Sequence, residues 1–392
     1  MEMISYGRQH IDDDDVKAVV DCLKSGAITQ GPKVAEFENA IANYVSARYA
    51  VAVSSGTAAL HIAAIAAEVK PSSAVITSPI TFIASANAAL YVGARPIFVD
   101  VDPETLNLSP SALADAVSKN TDIRAVIPVH FSGLPCDMPP IKSIADQVGA
   151  VIIEDAAHAL GARYDDGSMV GCCANSLMTV FSFHPVKSIT TGEGGMITTN
   201  DEKIYRRLLR LRSHGIIKGN DPYVDPESAY TNGISNPWYY EMQELGFHYR
   251  VTDIQCALGI SQLTKLNKFV ERRRQLAFRY DEAFASMRHI EPSQKTGREI
   301  SAHHLYSVRI DFSSAGISRA TLMKQLFQRG IICQVHYIPV PAHPYYRNLG
   351  FSPDNYPNAQ AYYREALSIP LFFSLTEQQQ DYVISSMKEF LL

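Results

Sequence analysis

Short runs rich in β-branched residues alternate with helical segments between residues 49 and 154. The runs predict strands at 50–53, 74–77, 96–101, 125–130 and 150–154, and the segments between them predict helices at 57–68, 81–92, 111–118 and 140–148. Strands and helices that alternate at this spacing build βαβ units, whose parallel sheet is covered by helices on both faces. The sequence therefore predicts an α/β fold, in which ligands bind at the carboxyl ends of the strands.

The length of the chain predicts more than one domain, because 392 residues exceed what one hydrophobic core usually organises. After Thr252, apolar residues at helical spacing predict a long linker helix. Predicted strands at 304–310 and 331–336 then flank a predicted helix at 319–328. We therefore expect a large domain over residues 1–250 and, over 251–392, the linker helix and a small α+β domain.

Two amphipathic helices are predicted ahead of the alternating region. Acidic residues at 12–15 begin the first helix, Gly26 ends it, and apolar positions from Val34 to Val45 follow the second. The loop between them, residues 26–31, is small and polar. It is interpreted either as a plain connector or as part of a binding surface.

The composition excludes several classes of protein. Hydrophobic residues make up 46% and charged residues 19% of the chain, and the net charge is -5, values typical of a globular enzyme and unlike a nucleic-acid binder. The arginines at 206–212 and 272–274 have helical spacing and predict solvated helix faces. No apolar run approaches the ~20 residues that cross a bilayer, so no membrane association is expected.

The six cysteines predict reduced, mostly buried thiols, since they form no CxxC pair. The first residues lack a basic region followed by an apolar one, so no signal peptide is predicted and the expected location is cytoplasmic. The histidines at 303, 304 and 343 lack acidic or cysteine neighbours at metal-ligand spacing. No metal site is therefore expected.

Lys187 is the side chain with the clearest chemical meaning. It follows the apolar run 177–183 and precedes a glycine cluster at 192–195, so it is expected at the mouth of a core, where desolvation disfavours the charged amine. Such amines form Schiff bases with carbonyls, including the aldehyde of pyridoxal phosphate. The alternative interpretation is a solvated lysine in a turn.

Two strand ends carry further candidates. The small residues of SSGTAAL, 54–60, end a strand and open a helix, so their N–H groups and hydroxyls can hold a phosphate, unless they form a plain turn. Glu154 and Asp155 end the strand at 150–154, and neighbouring residues of a strand point to opposite faces. One carboxylate can therefore face a ligand such as a pyridinium nitrogen, the alternative being a cap on a backbone N–H.

At these residues the chain resembles the fold-type-I pyridoxal-phosphate enzymes, and within them the sugar aminotransferase family called DegT/DnrJ/EryC1/StrS. The resemblance covers nearly the whole chain and rests on SSGTAAL, TSPITFIASANAALYVGARPIFVDV, EDAAHALGA, FSFHPVK with TTGEGG, LGFHYRVTDIQCALG and QVHYIPV. It implies a mostly parallel seven-stranded sheet, pyridoxal 5'-phosphate as cofactor with pyridoxamine phosphate as intermediate, glutamate as amino donor, and a homodimer with shared active sites.

The motifs FSFHPVKSITTGEGG, LRSHGI, HHLY and QVHY are most similar to family members of pseudaminic acid biosynthesis. Those members transfer an amino group to C4 of a UDP-linked 4-keto-6-deoxy-N-acetyl sugar. Two alternatives stay open, namely an aminotransferase for another nucleotide keto sugar and a non-catalytic sugar-nucleotide-binding homologue.

The resemblance also implies roles for individual residues. Lys187 would bind the cofactor aldehyde and move the proton, and Asp155 would pair with the pyridine nitrogen. The other implied cofactor-binding residues are Gly56, Thr57 and Ser182 at the phosphate, Phe82 stacked on the ring, His158 near the ring hydroxyl, and His248 reaching from the partner chain. The implied substrate-binding residues are Tyr6, Gly26, Ala27, Ile28, Thr29, His184, Gln334, Val335, His336 and Tyr337.

The chain departs from the family pattern at two places. His248 stands where members usually have Asn, so this contact between subunits is expected to depend on pH. The tract at 218–244 is rich in aromatic residues and longer than in similar members. It is interpreted either as a loop that stacks on a uracil or sugar face, or as a surface loop packed on its own rings.

Overall fold

The computed structural model describes residues 3–219 and 222–391 of the chain. A seven-stranded sheet forms its centre. The strands are β1 (Tyr49–Val53), β2 (Ala74–Thr77), β3 (Arg95–Phe98), β4 (Ile123–Ile127), β5 (Val151–Asp155), β6 (Met178–Ser182) and β7 (Gly195–Thr199). Their order across the sheet is β1-β7-β6-β5-β4-β2-β3. Because β7 runs opposite to the other six strands, which are parallel to one another, the sheet is mostly parallel and the predicted α/β fold is confirmed.

Helices cover both faces of this sheet. They are α1 (Asp13–Lys24), α2 (Pro32–Val45), α3 (Gly56–Ala66), α4 (Ala84–Tyr91), α5 (Pro110–Lys119), α6 (Met138–Gln147) and α7 (Glu202–Arg212). The apolar residues of α2, α5 and α6 belong to the core on one face, and those of α3, α4 and α7 to the core on the other. This arrangement buries the sheet on both sides, as its continuous apolar strands predict.

Most predicted elements of the large sheet are confirmed to within a few residues. The predicted strand at 96–101 ends early, at Phe98, and the predicted strand at 125–130 spans Ile123–Ile127. Strand β7 was not located by the residue pattern, since its sequence GMITT begins at the last glycine of the cluster at 192–195. It pairs with both β1 and β6 and so joins β1 to the rest of the sheet.

The segment that follows α7 forms short elements. They are β8 (Ile216–Ile217), α8 (Pro226–Ala229), β9 (Tyr230–Thr231), β10 (Ile234–Ser235) and β11 (Glu241–Met242). Strands β9 and β10 pair with each other, and β11 pairs with β8. The aromatic tract is therefore an insertion after α7 that contains short two-stranded sheets.

A smaller α+β unit follows. Its elements are α9 (Asp253–Leu263), α10 (Leu266–Phe284), β12 (Ile290–Pro292), β13 (Tyr306–Ile310), α11 (Arg319–Gln328), α12 (Pro344–Asn348), α13 (Pro357–Glu365), β14 (Ala366–Ile369) and α14 (Glu377–Leu391). Strands β12, β13 and β14 form an antiparallel sheet in that order. The described 3-10 turns are Phe131–Gly133, Arg298–Ile300, Val340–Ala342 and Pro353–Asn355.

Two predictions for this region are wrong. The linker is not one helix, because the chain leaves the helix after Leu263 and Lys265 forms ion pairs with Asp12 and Asp15 at the start of α1. Residues 331–336 do not form a strand, since Ile331 pairs only with Ile4 and Gln334 only with Ser368, as isolated bridges. The helix predicted at 319–328 is confirmed as α11.

The domain boundary at residue 250 stays a prediction. The apolar core of the smaller unit contains side chains of α10, α11, α14 and the three-stranded sheet, and it also contains Ile4 from the other end of the chain. Within the described residues, no helix combines the length and the apolar character that a membrane crossing requires.

The arginines were predicted to lie on solvated helix faces, and several of them do not, Arg212 and Arg273 being the clearest cases. Arg212 donates to the Glu38 carboxylate (2.5 Å) and to the carbonyl of Ala52 (2.8 Å). Arg273 is buried and donates to the carbonyls of Leu371 (3.0 Å) and His304 (3.2 Å). Helical spacing alone does not reveal that these faces pack against other elements. The cysteine prediction is confirmed, since all six are free and buried.

Candidate active site

A cavity of about 660 Å³ opens at the carboxyl edge of the large sheet. Residues at and after the ends of β1, β2, β5 and β6 form most of its wall, and Tyr6, Val129 and the smaller unit contribute further residues. The sequence-predicted residues that line it are Tyr6, Gly56, Thr57, Phe82, Asp155, His158, Ser182, His184, Lys187, His336 and Tyr337. Residues from both ends of the chain therefore meet at the edge where the sheet topology predicts a ligand.

Lys187 lies in a turn just beyond β6, where its backbone N–H donates to the carbonyl of His184 (2.9 Å). Burial lowers the pKa of its amine from 10.5 to about 8, although the negative charge of Asp155 opposes this shift. An amine with this pKa is neutral, and so nucleophilic, in about a tenth of the molecules at pH 7. The solvated turn lysine of the alternative interpretation does not fit this environment.

The turn between β1 and α3 presents backbone N–H groups to the cavity. The Ser55 hydroxyl accepts the N–H of Ala58 (3.1 Å) and caps the helix, while Gly56 and Thr57 line the cavity. The first N–H groups of a helix have no partner inside the helix, and the helix dipole adds a partial positive charge. The turn is therefore built as an anion site.

Close packing brings a third group to this turn. A Cβ on Gly56 would lie 3.0 Å from Cβ of Ser182, so β6 approaches the start of α3 closely. A Cβ on Gly195 would lie 2.4 Å from the carbonyl oxygen of Ser55, so β7 also requires glycine where it meets the turn. These contacts place the Ser182 hydroxyl beside the N-terminus of α3.

Asp155 ends β5 and faces the cavity. Its Oδ1 accepts the backbone N–H of Ala157 (3.1 Å) and its Oδ2 accepts the hydroxyl of Ser85 (2.6 Å). The carboxylate therefore binds a backbone N–H, as the alternative interpretation expected, and also lines the cavity near Lys187.

Glu154 points to the opposite face of β5 and is fully buried. Its Oε2 accepts Nε2–H of His130 (2.7 Å) and the hydroxyl of Tyr164, and its Oε1 accepts the hydroxyls of Ser176 (2.5 Å) and Thr179 (3.0 Å). Burial opposes ionisation, but the hydrogen bonds from His130, Ser176 and Tyr164 outweigh it and lower the pKa of Glu154. The prediction that only one of the two carboxylates faces a ligand agrees with this geometry.

Three imidazoles, of His158, His304 and His336, and the phenol of Tyr337 also line the cavity. Burial and the nearby Lys187 amine lower the pKa of His158 and His304 well below 6.5 and that of His336 to about 3, so these rings are neutral. The Tyr337 hydroxyl lies 3.1 Å from Nε2 of His158. Nδ1 of His158 and Nδ1 of His304 are buried without a hydrogen-bond partner, which leaves polar atoms for a bound group.

The other predicted residues do not line this cavity in the single chain. The loop that contains Gly26, Ala27, Ile28 and Thr29 is held at α9, where the Ile28 carbonyl accepts the N–H of Asp253 (3.1 Å). Gln334 is exposed, and Val335 packs into a small apolar cluster. His248 pairs with Ser213 and stacks on His214, with ring centroids 5.5 Å apart.

Sequence reasoning missed several lining residues, among them Thr81, Glu193 and His304, whereas Ser54 and Ser55 belong to the SSGTAAL motif that was predicted to hold a phosphate. Glu193 lies inside the glycine cluster that follows Lys187, and an acidic residue among glycines is a usable signal. His304 gives no such signal, because its ring comes to 4.3 Å from the His158 ring, centroid to centroid, only where its backbone N–H donates to the carbonyl of Ser132 (2.9 Å).

The aromatic tract shows both packed and exposed rings. The Tyr223 ring packs edge-on against the rings of Tyr230 and Tyr239, and Trp238 is 71% exposed. The Glu241 carboxylate accepts the N–H groups of Val224 and Asp225 (2.8 Å each) and so fixes the turn. Residues 220 and 221 of this tract lie outside the described residues.

In the described part of the chain, no three or more His, Cys, Asp or Glu side chains group in a way that would hold a metal. The candidate site combines one amine, the carboxylates of Asp155 and Glu193, an anion-binding turn and neutral imidazoles.

Comparison with known proteins places this site in context. The model of the DegT/DnrJ/EryC1/StrS aminotransferase family matches residues 9–388. The spore coat polysaccharide biosynthesis protein SpsC of Bacillus subtilis (strain 168) is 38% identical over 395 residues, which cover 98% of this chain and 96% of that protein.

Solved structures of other proteins are similar to this chain over nearly its whole length. Helicobacter pylori PseC, an aminotransferase involved in the biosynthesis of pseudoaminic acid, is 27% identical with a TM-score of 0.89 and covers 100% of this chain and 99% of its own. A putative sugar aminotransferase from Streptococcus pneumoniae, in its PMP form, is 31% identical with a TM-score of 0.88, covering 99% of this chain and 98% of its own. The same protein is also known in a PLP form.

Proposed function

The chain belongs to the DegT/DnrJ/EryC1/StrS aminotransferase family and is a sugar aminotransferase that uses pyridoxal phosphate. We propose that it moves an amino group from L-glutamate to C4 of a UDP-linked 4-keto-6-deoxy-N-acetyl sugar, the reaction of pseudaminic acid biosynthesis. The observation that carries the proposal is one cavity that holds Lys187, Asp155 and the Gly56–Thr57 turn.

The residues present fit pyridoxal phosphate. The anion site at the start of α3, with Ser182 beside it, suits a phosphate, and Asp155 suits a protonated pyridine nitrogen. The unpartnered Nδ1 of His158 is a polar atom available to a ring hydroxyl. We assign the phosphate to Gly56, Thr57 and Ser182, the nitrogen to Asp155, and a face of the ring to Phe82, which is 57% exposed.

When bound, the cofactor supplies an aldehyde for amine exchange and a ring that withdraws electrons from the carbon that loses a proton. Lys187 does the proton transfer. Its neutral amine takes a proton from the α-carbon of glutamate, and in the second half-reaction it returns a proton to C4 of the sugar. The lowered pKa suits both proton removal and proton return, since the Lys187 amine populates its neutral and its charged form near pH 8.

The neutral imidazoles support this role. If His158, His304 or His336 were protonated, each would add a positive charge near Lys187 and make its charged form less stable. Being neutral, they leave the Lys187 amine able to accept a proton. They also offer hydrogen bonds to sugar hydroxyls, together with His184, Tyr6 and Tyr337, which line the same cavity.

The proposal includes a homodimer with shared active sites. Glutamate and a UDP-sugar are anions, yet among the described residues that line the cavity Lys187 is the only lysine or arginine. His248 and the loop at 26–29 lie away from the cavity of their own chain, so we assign them to the site of a partner copy. Gln334 and Val335 are assigned to the substrate on the family resemblance. A cytoplasmic location completes the proposal and agrees with the six free thiols.

A panel of substrates tests the proposal. Purified enzyme is supplied with pyridoxal phosphate, ¹⁵N-glutamate and separate UDP- and dTDP-linked 4-keto and 3-keto sugars, and products are identified by mass spectrometry. We expect ¹⁵N in the UDP-linked 4-amino-6-deoxy-N-acetyl sugar and in no 3-amino product. Labelling of only a different sugar would reject the substrate assignment while keeping the reaction class.

One observation favours a second substrate. The 38% identity to SpsC exceeds the 27% identity to PseC, and SpsC belongs to spore coat polysaccharide biosynthesis. A keto sugar destined for a surface polysaccharide is therefore the second candidate. The same panel separates the two, because they differ in the sugar or in the nucleotide.

A further inference from the structure

A chain of buried hydroxyls leads from Thr81 through Ser85 to Asp155. The Ser85 hydroxyl oxygen lies 2.6 Å from Oδ2 of Asp155, and the Thr81 hydroxyl oxygen lies 2.7 Å from that of Ser85. Ser85 is 0% exposed, Thr81 3% and Asp155 6%. Solvent therefore does not compete for these bonds, and each counts at its full strength in a buried environment.

The direction of the bonds follows from the number of protons. A carboxylate only accepts, so the single hydroxyl proton of Ser85 is donated to Asp155. The Phe82 carbonyl lies 3.4 Å from the same oxygen and competes poorly with a partner at 2.6 Å. Because the Ser85 proton is used, Thr81 is the donor in the Thr81–Ser85 bond.

The two oxygens of Asp155 thus have different supports. Oδ1 accepts the backbone N–H of Ala157 on its own loop (3.1 Å), and Oδ2 accepts Ser85 of α4 (2.6 Å). Two donors on the two oxygens fix rotation about the Cβ–Cγ bond. Without Ser85 only one bond opposes that rotation, and the Lys187 amine in the same cavity attracts the carboxylate.

We propose that Ser85 is a positioning residue for the Asp155 carboxylate and that Thr81 orients Ser85. The inference rests on the proposed function, in which Asp155 faces the cofactor nitrogen. Residues 81–85, which lead into α4, carry Thr81 and Ser85 and also Phe82, which lines the cavity. One short segment therefore sets the carboxylate at the ring nitrogen and the aromatic side chain at the ring face.

The primary test replaces Ser85 by alanine and measures binding of pyridoxal phosphate to apo-protein by absorbance titration. A hydrogen bond to a charged group is lost, so we expect the Kd of the cofactor to rise about 10-fold and kcat at saturating cofactor to fall about 10-fold. KM for glutamate and for the sugar should stay within about two-fold, since Ser85 does not line the cavity. An unchanged Kd and kcat would overturn the proposal.

Matched variants separate positioning from packing. Thr81→Val keeps the shape of the side chain but removes the hydroxyl donor, so we expect it to reproduce part of the Ser85→Ala defect. Thr81→Ser keeps the donor, so we expect it to bind the cofactor as the wild-type protein does. Thr77→Val removes another buried hydroxyl, which bonds only to the Ile127 carbonyl (2.9 Å). If Thr77→Val raised the cofactor Kd as much as Ser85→Ala, general loss of packing would replace the proposal.

A double-mutant cycle distinguishes this inference from the function on which it rests. If Ser85 acts through Asp155, Ser85→Ala adds less than about two-fold to the cofactor Kd of Asp155→Asn, whereas Thr77→Val contributes equally in both backgrounds. Additive effects of Ser85→Ala and Asp155→Asn would refute the positioning role. If Asp155→Asn itself left Kd and kcat unchanged, the assignment of Asp155 in the proposed function would fail instead.

Discussion

Glu154 and Asp155 are neighbours at the end of one strand, yet they lie in opposite kinds of environment. Four donors, from His130, Tyr164, Ser176 and Thr179, occupy the oxygens of Glu154 on one face of the sheet. On the other face Asp155 has two donors and borders a cavity. The first carboxylate is saturated by the protein, and the second keeps bonding capacity for a ligand.

The difference teaches how one strand end can serve stability and chemistry together. The N–H of Cys136 donates to Nδ1 of His130 (3.0 Å), so that ring donates to Glu154 through Nε2 and is fixed from both sides. This network holds the loop after β4 to β5. Asp155 can then lie beside an open cavity on a strand end whose other face is rigid.

The largest expected effect lies on the open face. Lys187→Arg keeps the positive charge but removes an amine that can be neutral, so we expect kcat to fall by more than about 1,000-fold while the protein stays folded. Amino-sugar formation under steady-state conditions and far-UV circular dichroism measure the two. Intact steady-state activity would remove Lys187 from its assigned role.

Asp155→Asn should follow with a smaller loss. The amide is nearly the same size but carries no charge for the ring nitrogen, so we expect kcat to fall about 100-fold and cofactor binding to weaken. The melting temperature should change little. Activity and cofactor titration on the same preparation check this, and a variant that only lost stability would make Asp155 resemble Glu154.

Glu154→Gln should give the reverse result. In the Gln side chain an NH2 group replaces one carboxylate oxygen and faces the hydrogen-bond donors that this oxygen accepts in Glu154. We therefore expect a loss of about 3 kcal/mol in the free energy of unfolding. Activity per folded molecule should stay within a few-fold. Urea unfolding measures the first and active-site titration the second, and a large loss of activity without destabilisation would erase the contrast between the two faces.

Acid should lower the free energy of unfolding of the protein, and His336 should contribute to this loss. Its pKa is about 3 in the folded chain, below the usual 6.5, because burial and Lys187 oppose its charge. The unfolded chain therefore binds more protons between pH 6.5 and 3, and stability falls as pH drops through this window. We expect His336→Asn to recover about 2 kcal/mol of that loss at pH 5, measured by urea unfolding against pH.

The smallest expected effect is a gain in stability. The pKa of Lys187 is lowered to about 8, so burial disfavours the charged amine, and that penalty is full below pH 8. We expect Lys187→Met to stabilise the apo-protein by about 1 kcal/mol at pH 7, a value discounted because the amine faces an open cavity. The gain should shrink as pH rises from 8 to 10.5. A gain that stayed constant with pH would assign it to packing.

The strand ends are predictable because the alternation of side chains along a strand and the glycines that end it are local features of the sequence. The alternation of side chains along β5 is enough to assign Glu154 and Asp155 to opposite faces, and the glycines after Lys187 mark a close approach. The same local signals do not show the break at Thr264, because the ion pairs of Lys265 with α1 come from a distant part of the chain.

Other parts of the site depend on contacts that no local pattern encodes. His304 reaches His158 only because its segment bonds to the turn at Phe131–Gly133. Arg273 is buried and donates to three backbone carbonyls. In the sequence, Ser85 cannot be distinguished from the other small residues of an alanine-rich helix. Its role follows only from the position of Asp155.

The most direct test of the central claim treats the protein loaded with pyridoxal phosphate with borohydride and maps the modified peptides by mass spectrometry. We predict that the reduced cofactor mass is fixed on the peptide that contains Lys187 and is absent from the Lys187→Arg variant. Cofactor mass on another lysine, or on none, would contradict the account.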